Sequence, residues 1–247
     1  TNKLIDATRG VVMTYNSKPI EACYHSSSGG YTENSENVWG TYVPYLRAVV
    51  DYDQEAPKYK WEKICTAGEI ENILAQAGYK IGKLKAIKLS PLKPPPDKTT
   101  DRGISGRVIK MTFVGDNGEA TLDGSKVRGL FQLNSTLFDV IVKTKEPEYI
   151  EVPVLDVYGN EIGKKQIPVK ITQPSKPSYF SGFDDLRLIT GDINEIIVIQ
   201  GQGWGHGLGL SQWGARGMAL AAPQNSKDYY QTILNHYYTN VRIEKIY

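Results

Sequence analysis

The alternation of apolar and polar residues predicts a chain rich in antiparallel strands. Three stretches of the 247 residues combine period-two alternation with a central turn, which is the pattern of a β-hairpin. They are residues 10–24, 106–122 and 148–170, with turns at Asn16-Ser17, Asp116-Asn117-Gly118 and Gly159-Asn160. The return strand of the first is expected over Ile20 to Tyr24. The third is interpreted as an insertion spanning about 145–185, and residues 173–184 as a loop.

Helical periodicity is confined to a few segments. Residues 61–77 are predicted to form an amphipathic helix, with Thr66 and Glu69 at capping-box spacing and Gly78 as its stop. Ser226 is expected to cap a later helix that continues to Tyr237. Pro-rich residues 91–102 are expected to form an extended loop.

The most specific segment is glycine-rich and follows an apolar strand. Residues 196–199 form the apolar run, and glycine then occupies every second position from Gly201 to Gly209. Glycine packs nothing in a strand and permits close approach of a ligand or another backbone. Ser211 is expected to cap a helix that continues to Ala222, so the sequence predicts a strand-to-helix elbow. We expect a single, strand-rich α+β domain over residues 1–247.

Composition narrows the classes of function. The net charge is +2 and basic residues are scattered, which argues against a nucleic-acid partner. No apolar run reaches the length of a membrane span, and no signal peptide is recognisable. The glycines match neither a P-loop nor a dinucleotide fingerprint. The aromatic and hydrogen-bonding residues of the elbow suit a sugar better: Trp204, His206, Ser211, Gln212 and Trp213.

Three sequence blocks resemble the stage II sporulation protein D family of peptidoglycan-acting proteins. The first is Gly203 to Ala215, which is similar to the family's glycine, histidine and SQWGA signature. The second runs from Ala22 to Thr32 and continues through Val38-Trp39-Gly40 and Pro44 to Arg47. The third extends from Gly106 to Phe138. The family's proposed catalytic glutamate lies in an Ala-rich helix near the start of its domain, and no similar segment is found in this sequence. The catalytic acid is therefore expected upstream of Thr1.

The resemblance implies a lytic transglycosylase that cleaves glycan strands and leaves 1,6-anhydro-N-acetylmuramic acid ends. It places Thr32, Tyr45, Arg47 and His206 at the catalytic groove. Thr32 is expected to hydrogen-bond the substrate, Tyr45 to stack on a sugar ring, and Arg47 to bind the lactyl carboxylate of muramic acid.

Substrate binding is also expected at residues near the elbow and the serine-glycine turn: His25, Ser27, Trp204, Ser211 and Gln212. Alternative roles are a core position for Tyr45, a surface charge for Arg47 and a turn residue for Thr32. Glu33 and Glu36 are interpreted as solvated loop residues, since lone carboxylates are rarely buried.

No cofactor is expected, with zinc as an alternative at Cys23 and His25. Thiolate and imidazole suit zinc, but residues two apart on a strand alternate in direction and no second pair completes four ligands. Cys23 and Cys65 are open to a disulfide, although free thiols are favoured.

Two other functions stay open: a non-catalytic glycan-binding module or amidase enhancer, and a zinc-dependent wall hydrolase. The expected partners are peptidoglycan glycan strands and other cell-wall hydrolases, at an extracytoplasmic location.

Overall fold

A computed structural model describes residues 2–144, 149–168, 185–224 and 226–246. The fold within these ranges is α+β, as predicted. The helices of these ranges are α1 (Asn2–Ala7), α2 (Ser35–Trp39), α3 (Ala67–Gln76), α4 (Gly124–Leu130), α5 (Gln212–Leu220) and α6 (Tyr229–Tyr237). The strands are β1 (Val11–Tyr15), β2 (Lys18–Pro19), β3 (Tyr24–His25), β4 (Lys60–Cys65), β5 (Leu84–Lys88), β6 (Lys110–Gly115), β7 (Gly118–Asp123), β8 (Phe138–Thr144), β9 (Tyr149–Leu155), β10 (Glu161–Pro168), β11 (Leu186–Leu188), β12 (Glu195–Gln202), β13 (Leu210–Ser211) and β14 (Arg242–Lys245).

The strand that leads into the elbow is the centre of a three-stranded sheet. β12 lies between β4 and β8 and is antiparallel to both. A second sheet has the order β11-β5-β6-β7. Apolar side chains from both sheets and from α3 and α4 form the larger core: Ile70, Leu74, Ile87, Phe113, Val127, Phe131, Phe138 and Ile197. The elbow therefore starts from a strand held on both edges.

A smaller apolar cluster packs on the other side of the elbow, where α5 and α6 meet the chain around residues 43–49. Its buried members are Leu46, Ile233, Tyr237 and Tyr238. Nearby, β1 pairs with both β2 and β14, and the two-residue strands β3 and β13 pair in parallel. The second cluster and the short strand pair thus hold the end of the elbow.

The hairpin predictions are confirmed in outline. Asn16 and Ser17 have positive φ angles of 50° and 61°, which are the angles that a tight hairpin turn requires. The return strand expected over Ile20 to Tyr24 is wrong in its bounds: the strand is Lys18–Pro19, and beyond it Ile20 only donates its N–H to the carbonyl of Met13. The second hairpin begins at Lys110 rather than Gly106. β9 and β10 form the third, while the loop expected over residues 173–184 lies outside the described ranges.

Two helix predictions are wrong at their starts. Residues 61–65 belong to β4, where exposed and less exposed side chains alternate with period two against β12, and the helix begins only at Ala67. Its Thr66–Glu69 capping box is present as predicted. Asp228, not Ser226, occupies the N-cap position of α6, and its side chain makes no capping hydrogen bond. α5 ends at Leu220 rather than Ala222.

Truncation of one aromatic in the larger core is a direct test of this packing. Phe113 is fully buried and stacks on Phe131, with ring centroids 5.7 Å apart. We expect Phe113→Ala to reduce the free energy of unfolding by about 3–5 kcal/mol, through lost contacts and a cavity. Urea unfolding followed by circular dichroism measures it. The control is Ile193→Ala, because Ile193 is 97% exposed and its truncation should change stability by less than about 0.5 kcal/mol.

Candidate functional site

The glycine-rich elbow lies against the serine-glycine turn that precedes Thr32. Ser27 and Trp204 exchange backbone hydrogen bonds of 3.1 and 2.8 Å. One residue further, Gly205 donates its N–H to the carbonyl of Asn134. The first two blocks of the sequence are therefore joined directly, and the third reaches the elbow through Asn134.

Two buried aspartates organise the serine-glycine turn. Asp53 accepts hydrogen bonds from the Ser27 hydroxyl and from the backbone N–H groups of Gly29 and Gly30, at 2.6 to 2.9 Å. Asp51 accepts from the Ser28 hydroxyl and from the Tyr237 hydroxyl, the latter at 2.6 Å. Both aspartates are 1% exposed. Their carboxylates therefore provide hydrogen-bond acceptors for the N–H and hydroxyl groups of the turn.

Glu33 is a third buried carboxylate, so the interpretation of this residue as solvated is wrong. It is fully buried and accepts five hydrogen bonds, from Asn34, Asn37, Ile104 and both the backbone and the hydroxyl of Ser105. These donors offset the cost of removing its charge from water. Because its own N–H donates to the carbonyl of Gly207, Glu33 joins α2, the loop at 104–105 and the elbow.

Glu36 is not a free solvated residue either. Its carboxylate forms an ion pair with Arg47, and this hydrogen-bonded partner lowers the pKa of Glu36. Arg47 also donates to the Ser35 hydroxyl, and its guanidinium lies 4.3 Å from the centre of the Tyr42 ring. The Arg47 side chain thus packs against α2, with its charge paired to Glu36.

Arg107 packs against the elbow and leaves no room for a side chain at Gly207. The guanidinium is 1% exposed, donates to the carbonyl of Ser28 at 2.6 Å, and has no partner for Nε among the described residues. Burial lowers the pKa of Arg107 to about 10, so it stays protonated at neutral pH. A Cβ at Gly207 would lie 2.2 Å from Nε of Arg107, and Gly207 has a φ of +83°. Space and backbone conformation both require glycine there.

Both ring nitrogens of His206 form hydrogen bonds, one within the elbow and one to β3. Nδ1 accepts the N–H of Leu208 at 3.0 Å, and Nε2 donates to the carbonyl of Tyr24 at 3.1 Å. This pattern requires the neutral ring with its proton on Nε2. Burial lowers the pKa of His206, and the positive charges of Arg107 and Arg128 lower it further. In this arrangement His206 serves as a flat, uncharged surface.

His25 lies beside His206, with ring centroids 5.4 Å apart. Its Nδ1 donates to the carbonyl of Leu208, so Nε2 carries a lone pair and has no partner among the described residues. Burial, together with Arg107 and His206, holds the pKa of His25 well below its usual value. Both rings are therefore uncharged at neutral pH.

The exposed side chains of Trp39, Trp204 and Tyr24 belong to the segments that meet at this histidine pair. The Trp39 ring lies 5.9 Å from that of His206, between centroids. Trp39 is 46% exposed, Trp204 45% and Tyr24 64%. We refer to Tyr24, Trp39, Trp204 and His206 as the aromatic face. Flat, partly exposed rings of this kind bind the apolar faces of sugars.

Of the other residues predicted to bind substrate or act in catalysis, some lie in the elbow and others lie elsewhere in the structure. Ser211 is buried and caps α5 by accepting the N–H of Gly214, and Gln212 is exposed at the next position. Thr32 is buried, and its hydroxyl accepts the N–H of Val49. Tyr45 packs against Tyr15 in the second apolar cluster, where its hydroxyl accepts the N–H of Glu21.

Sequence reasoning missed the buried charges. Asp51 and Asp53 are two residues apart on an extended segment, so their side chains lie on the same side of it. This spacing could have indicated that both carboxylates accept hydrogen bonds from the N–H groups of the serine-glycine turn. Arg107 lies at the start of the third block, but nothing in the sequence indicated its burial, which depends on contacts with the elbow and the serine-glycine turn.

Two clefts lie near the start of the elbow and share Leu92, Leu137 and Gln202 in their walls. Their volumes are about 530 and 620 Å³. The first continues along Gly29 and Gly30. A further cleft of about 370 Å³ lies next to Trp39 and is lined by Arg107. The elbow is thus bordered by concave surface that can hold a chain-like ligand.

Comparison with known proteins agrees with the three blocks. The amidase enhancer of Bacillus subtilis is 28% identical over 251 aligned residues, which cover 96% of this chain and 32% of that protein. The chain is a homologue of the amidase enhancer. Stage II sporulation protein D of Bacillus subtilis is 38% identical over 112 residues, covering 44% of this chain and 32% of that protein. The resemblance inferred from the blocks is confirmed.

Two further matches carry no named activity. An uncharacterized protein of Brachyspira hyodysenteriae is 26% identical and covers 97% of this chain and 47% of its own length. A family model described as a domain of unknown function, DUF8618, matches residues 45–155. The chain spans about a third of the length of the Bacillus relatives named above.

The buried Glu33 provides a sensitive test of the site. Glu33→Gln keeps the shape but turns an amide NH₂ towards donors, and we expect a loss of about 3 kcal/mol in the free energy of unfolding. Glu55→Gln is the matched control, because the Glu55 side chain is 76% exposed in its pair with Arg216 and should contribute less than about 1 kcal/mol. Equal effects in urea unfolding would contradict a special role for Glu33.

Substitution of Gly207 separates crowding from backbone strain. Gly207→Ala places Cβ on Arg107 at a positive φ, and we expect a loss of about 3 kcal/mol from both causes. Gly40 has a φ of +74° with no atom within 4 Å of an added Cβ, so Gly40→Ala should cost only the strain, about 1 kcal/mol. Thermal unfolding of the two variants gives the comparison, and a smaller loss at Gly207 than at Gly40 contradicts the crowding.

Proposed function

We propose that this chain is the glycan-binding part of a cell-wall protein that cleaves peptidoglycan strands as a lytic transglycosylase. The observation that carries the proposal is the aromatic face, where the exposed Trp39 ring lies beside His206, a histidine whose pKa is lowered by burial. Sugar rings stack on such surfaces without needing a countercharge. Homology to stage II sporulation protein D supports the assignment to the cell wall.

The reaction needs one carboxylic acid. The acid protonates the glycosidic oxygen as the bond to C1 of muramic acid breaks. The resulting carboxylate then takes the proton of the C6 hydroxyl as that oxygen bonds to C1, which closes the 1,6-anhydro ring. The proton lost in the first step is regained in the second, so no water is consumed.

The carboxylates beside the elbow have other roles. Glu33, Asp51 and Asp53 are buried and each accepts several hydrogen bonds, and Glu36 is paired with Arg47. We therefore assign the acid to the Ala-rich helix that the family carries ahead of these blocks. The part of the protein described here would bind and orient the glycan beside it.

Amidase enhancement is a second candidate function, and the comparisons favour it equally. The homologue named amidase enhancer covers 96% of this chain, more than stage II sporulation protein D does. In this role the aromatic face would hold a glycan strand while another cell-wall hydrolase, an amidase, acts on it. This function requires binding but no acid.

A zinc-dependent hydrolase has less support. The described residues contain no group of three or more histidine, cysteine or acidic side chains placed to hold a metal ion. Cys23 and Cys65 are both free thiols rather than a disulfide. Burial raises the pKa of Cys23, which disfavours the thiolate that zinc requires.

An extracytoplasmic location is part of the proposal, because peptidoglycan lies outside the cytoplasmic membrane. Within the described ranges, none of the helices combines the length and the apolar character needed to cross a bilayer.

The test combines binding and product analysis on glycan strands stripped of peptides. We expect this chain to bind the strands without releasing anhydro products, and a longer chain with the Ala-rich helix to release them. Trp39→Ala should weaken binding about tenfold, through loss of ring stacking. Tyr158→Ala is the control, because Tyr158 is an 87% exposed aromatic residue at the turn between β9 and β10 and is not part of the aromatic face.

The outcomes separate the candidates. Mass spectrometry that finds anhydro ends only with the helix, and none when its glutamate is replaced by glutamine, supports the transglycosylase. Faster peptide release by an added amidase, with no anhydro product from either chain, supports the enhancer. Strand binding that is unaffected by Trp39→Ala contradicts the aromatic face as the glycan site.

A further inference from the structure

Another cleft lies along α5, the helix that follows the elbow. Its volume of about 600 Å³ falls within the range for small-molecule sites, about 300–1,000 Å³. The loop at 52–55, most of α5 and Tyr229 at the start of α6 supply its lining. None of these lining residues belongs to the aromatic face, so this cleft is a separate feature of the surface.

The walls of the α5 cleft are largely apolar. Trp213, Met218 and Leu220 contribute from α5, and Tyr52 contributes from the loop. A Cβ at Gly217 would lie 2.2 Å from the carbonyl oxygen of Tyr52, so the helix and the loop are in contact at their backbones. Leu220 is 67% exposed and Tyr52 50%. This surface can pack against the aliphatic part of a ligand.

One ion pair belongs to the same lining. Nη1 of Arg216 donates to Oε2 of Glu55 at 2.8 Å, and the guanidinium carbon lies 5.2 Å from the centre of the Trp213 ring. The ring holds the cation by a cation–π contact. Within the described ranges neither charged side chain forms another hydrogen bond, which leaves Nε and Nη2 of Arg216 and Oε1 of Glu55 open.

Charge complementarity indicates which ligand fits this pair. A carboxylate can accept hydrogen bonds from the open N–H groups of Arg216, and an ammonium can donate to the open oxygen of Glu55. A carbon atom that carries both groups uses both sides at once, without separating Arg216 from Glu55. An anion or a cation alone leaves one side unpaired.

We propose that the α5 cleft binds the zwitterionic end of a diamino acid in a cell-wall peptide. The inference rests on amidase enhancement, the second candidate function, because the substrate of an amidase carries such peptides. The side chain of meso-diaminopimelate ends in a carbon with an ammonium and a carboxylate, and cross-linking of the peptide consumes that ammonium. The cleft therefore selects stem peptides that are not cross-linked.

The position of the cleft suits a peptide attached to a glycan at the elbow. Arg216 is four residues after Gln212, where α5 begins, which is about 6 Å along the helix axis. Three extended residues span about 10 Å. A stem peptide is therefore long enough to cover the distance from the end of the elbow to the ion pair.

The test uses three probes without sugar: the tripeptide L-alanyl-γ-D-glutamyl-meso-diaminopimelate, the same tripeptide ending in L-lysine, and glycine. The lysine peptide keeps the side-chain ammonium but lacks the carboxylate beside it, and glycine has both groups without the aliphatic chain. Calorimetric titration gives the affinities, and nuclear magnetic resonance of the Trp213 indole reports the location. We expect the diaminopimelate peptide to bind at least tenfold more tightly than either other probe.

Two variants separate the roles of the charges. Arg216→Gln should bring the affinity for the diaminopimelate peptide down to that for the lysine peptide, without weakening the latter. Glu55→Gln should weaken both peptides, because both carry the ammonium. The two side chains are 51% and 76% exposed, so we expect both variants to fold, which thermal unfolding checks.

Arg242→Gln is the matched control. Arg242 is exposed on β14 and does not line the cleft, so its replacement removes the same charge elsewhere. It should retain the preference for the diaminopimelate peptide. Equal losses in Arg216→Gln and Arg242→Gln would show a general effect of charge and overturn the assignment.

The other outcomes are equally decisive. Equal affinity for the two peptides, unchanged selectivity in Arg216→Gln, or binding without a shift of the Trp213 indole each overturns the inference. Glycine that binds as tightly as the diaminopimelate peptide indicates a site for free amino acids and overturns it as well. Because the probes contain no sugar, failure of strand binding or of amidase enhancement counts against the proposed function alone. Selective peptide binding that depends on Arg216 would stand even then.

Discussion

Hydrogen bonding to buried carboxylates is the interaction on which the elbow depends. The segments that meet here are built from glycine and serine, which bury little apolar surface and so gain little from the hydrophobic effect. Asp51, Asp53 and Glu33 replace that contribution by accepting the backbone and hydroxyl donors of these segments. Arg107 supplies the opposite charge in the same interior and donates to Ser28. The two apolar clusters hold the ends of the elbow, while this polar network holds its middle.

The same network fixes the chemistry that the site can offer. Because backbone groups of Leu208 and Tyr24 bind both nitrogens of His206, the ring is available as a surface and not as a proton carrier. The buried carboxylates are likewise committed to structure. Among the described residues of the site, the aromatic rings of Trp39, Trp204 and Tyr24 are left exposed to solvent.

The parts of the fold that follow local rules could be predicted from the sequence. Turn residues located the hairpins, and Thr66 and Ser211 located two helix caps. The strand at Lys60–Cys65 was missed because its identity comes from pairing with β12, a partner about 135 residues away. The sequence likewise indicated only part of the candidate site. Its glycines and aromatic residues were visible as a motif, whereas the burial of Glu33 and Arg107 arises from contacts between distant segments.

The pairing of β1 with β14 has a consequence for synthesis of the protein. Thr14 and Glu244, whose side chains hydrogen-bond across these strands, are 230 residues apart. A ribosome makes β1 long before β14 exists, so one edge of β1 stays open while nearly all of the intervening chain emerges. An open strand edge is a template for pairing with other chains. Nascent copies are therefore exposed to misassembly at this edge of β1 until β14 has been made and pairs with it.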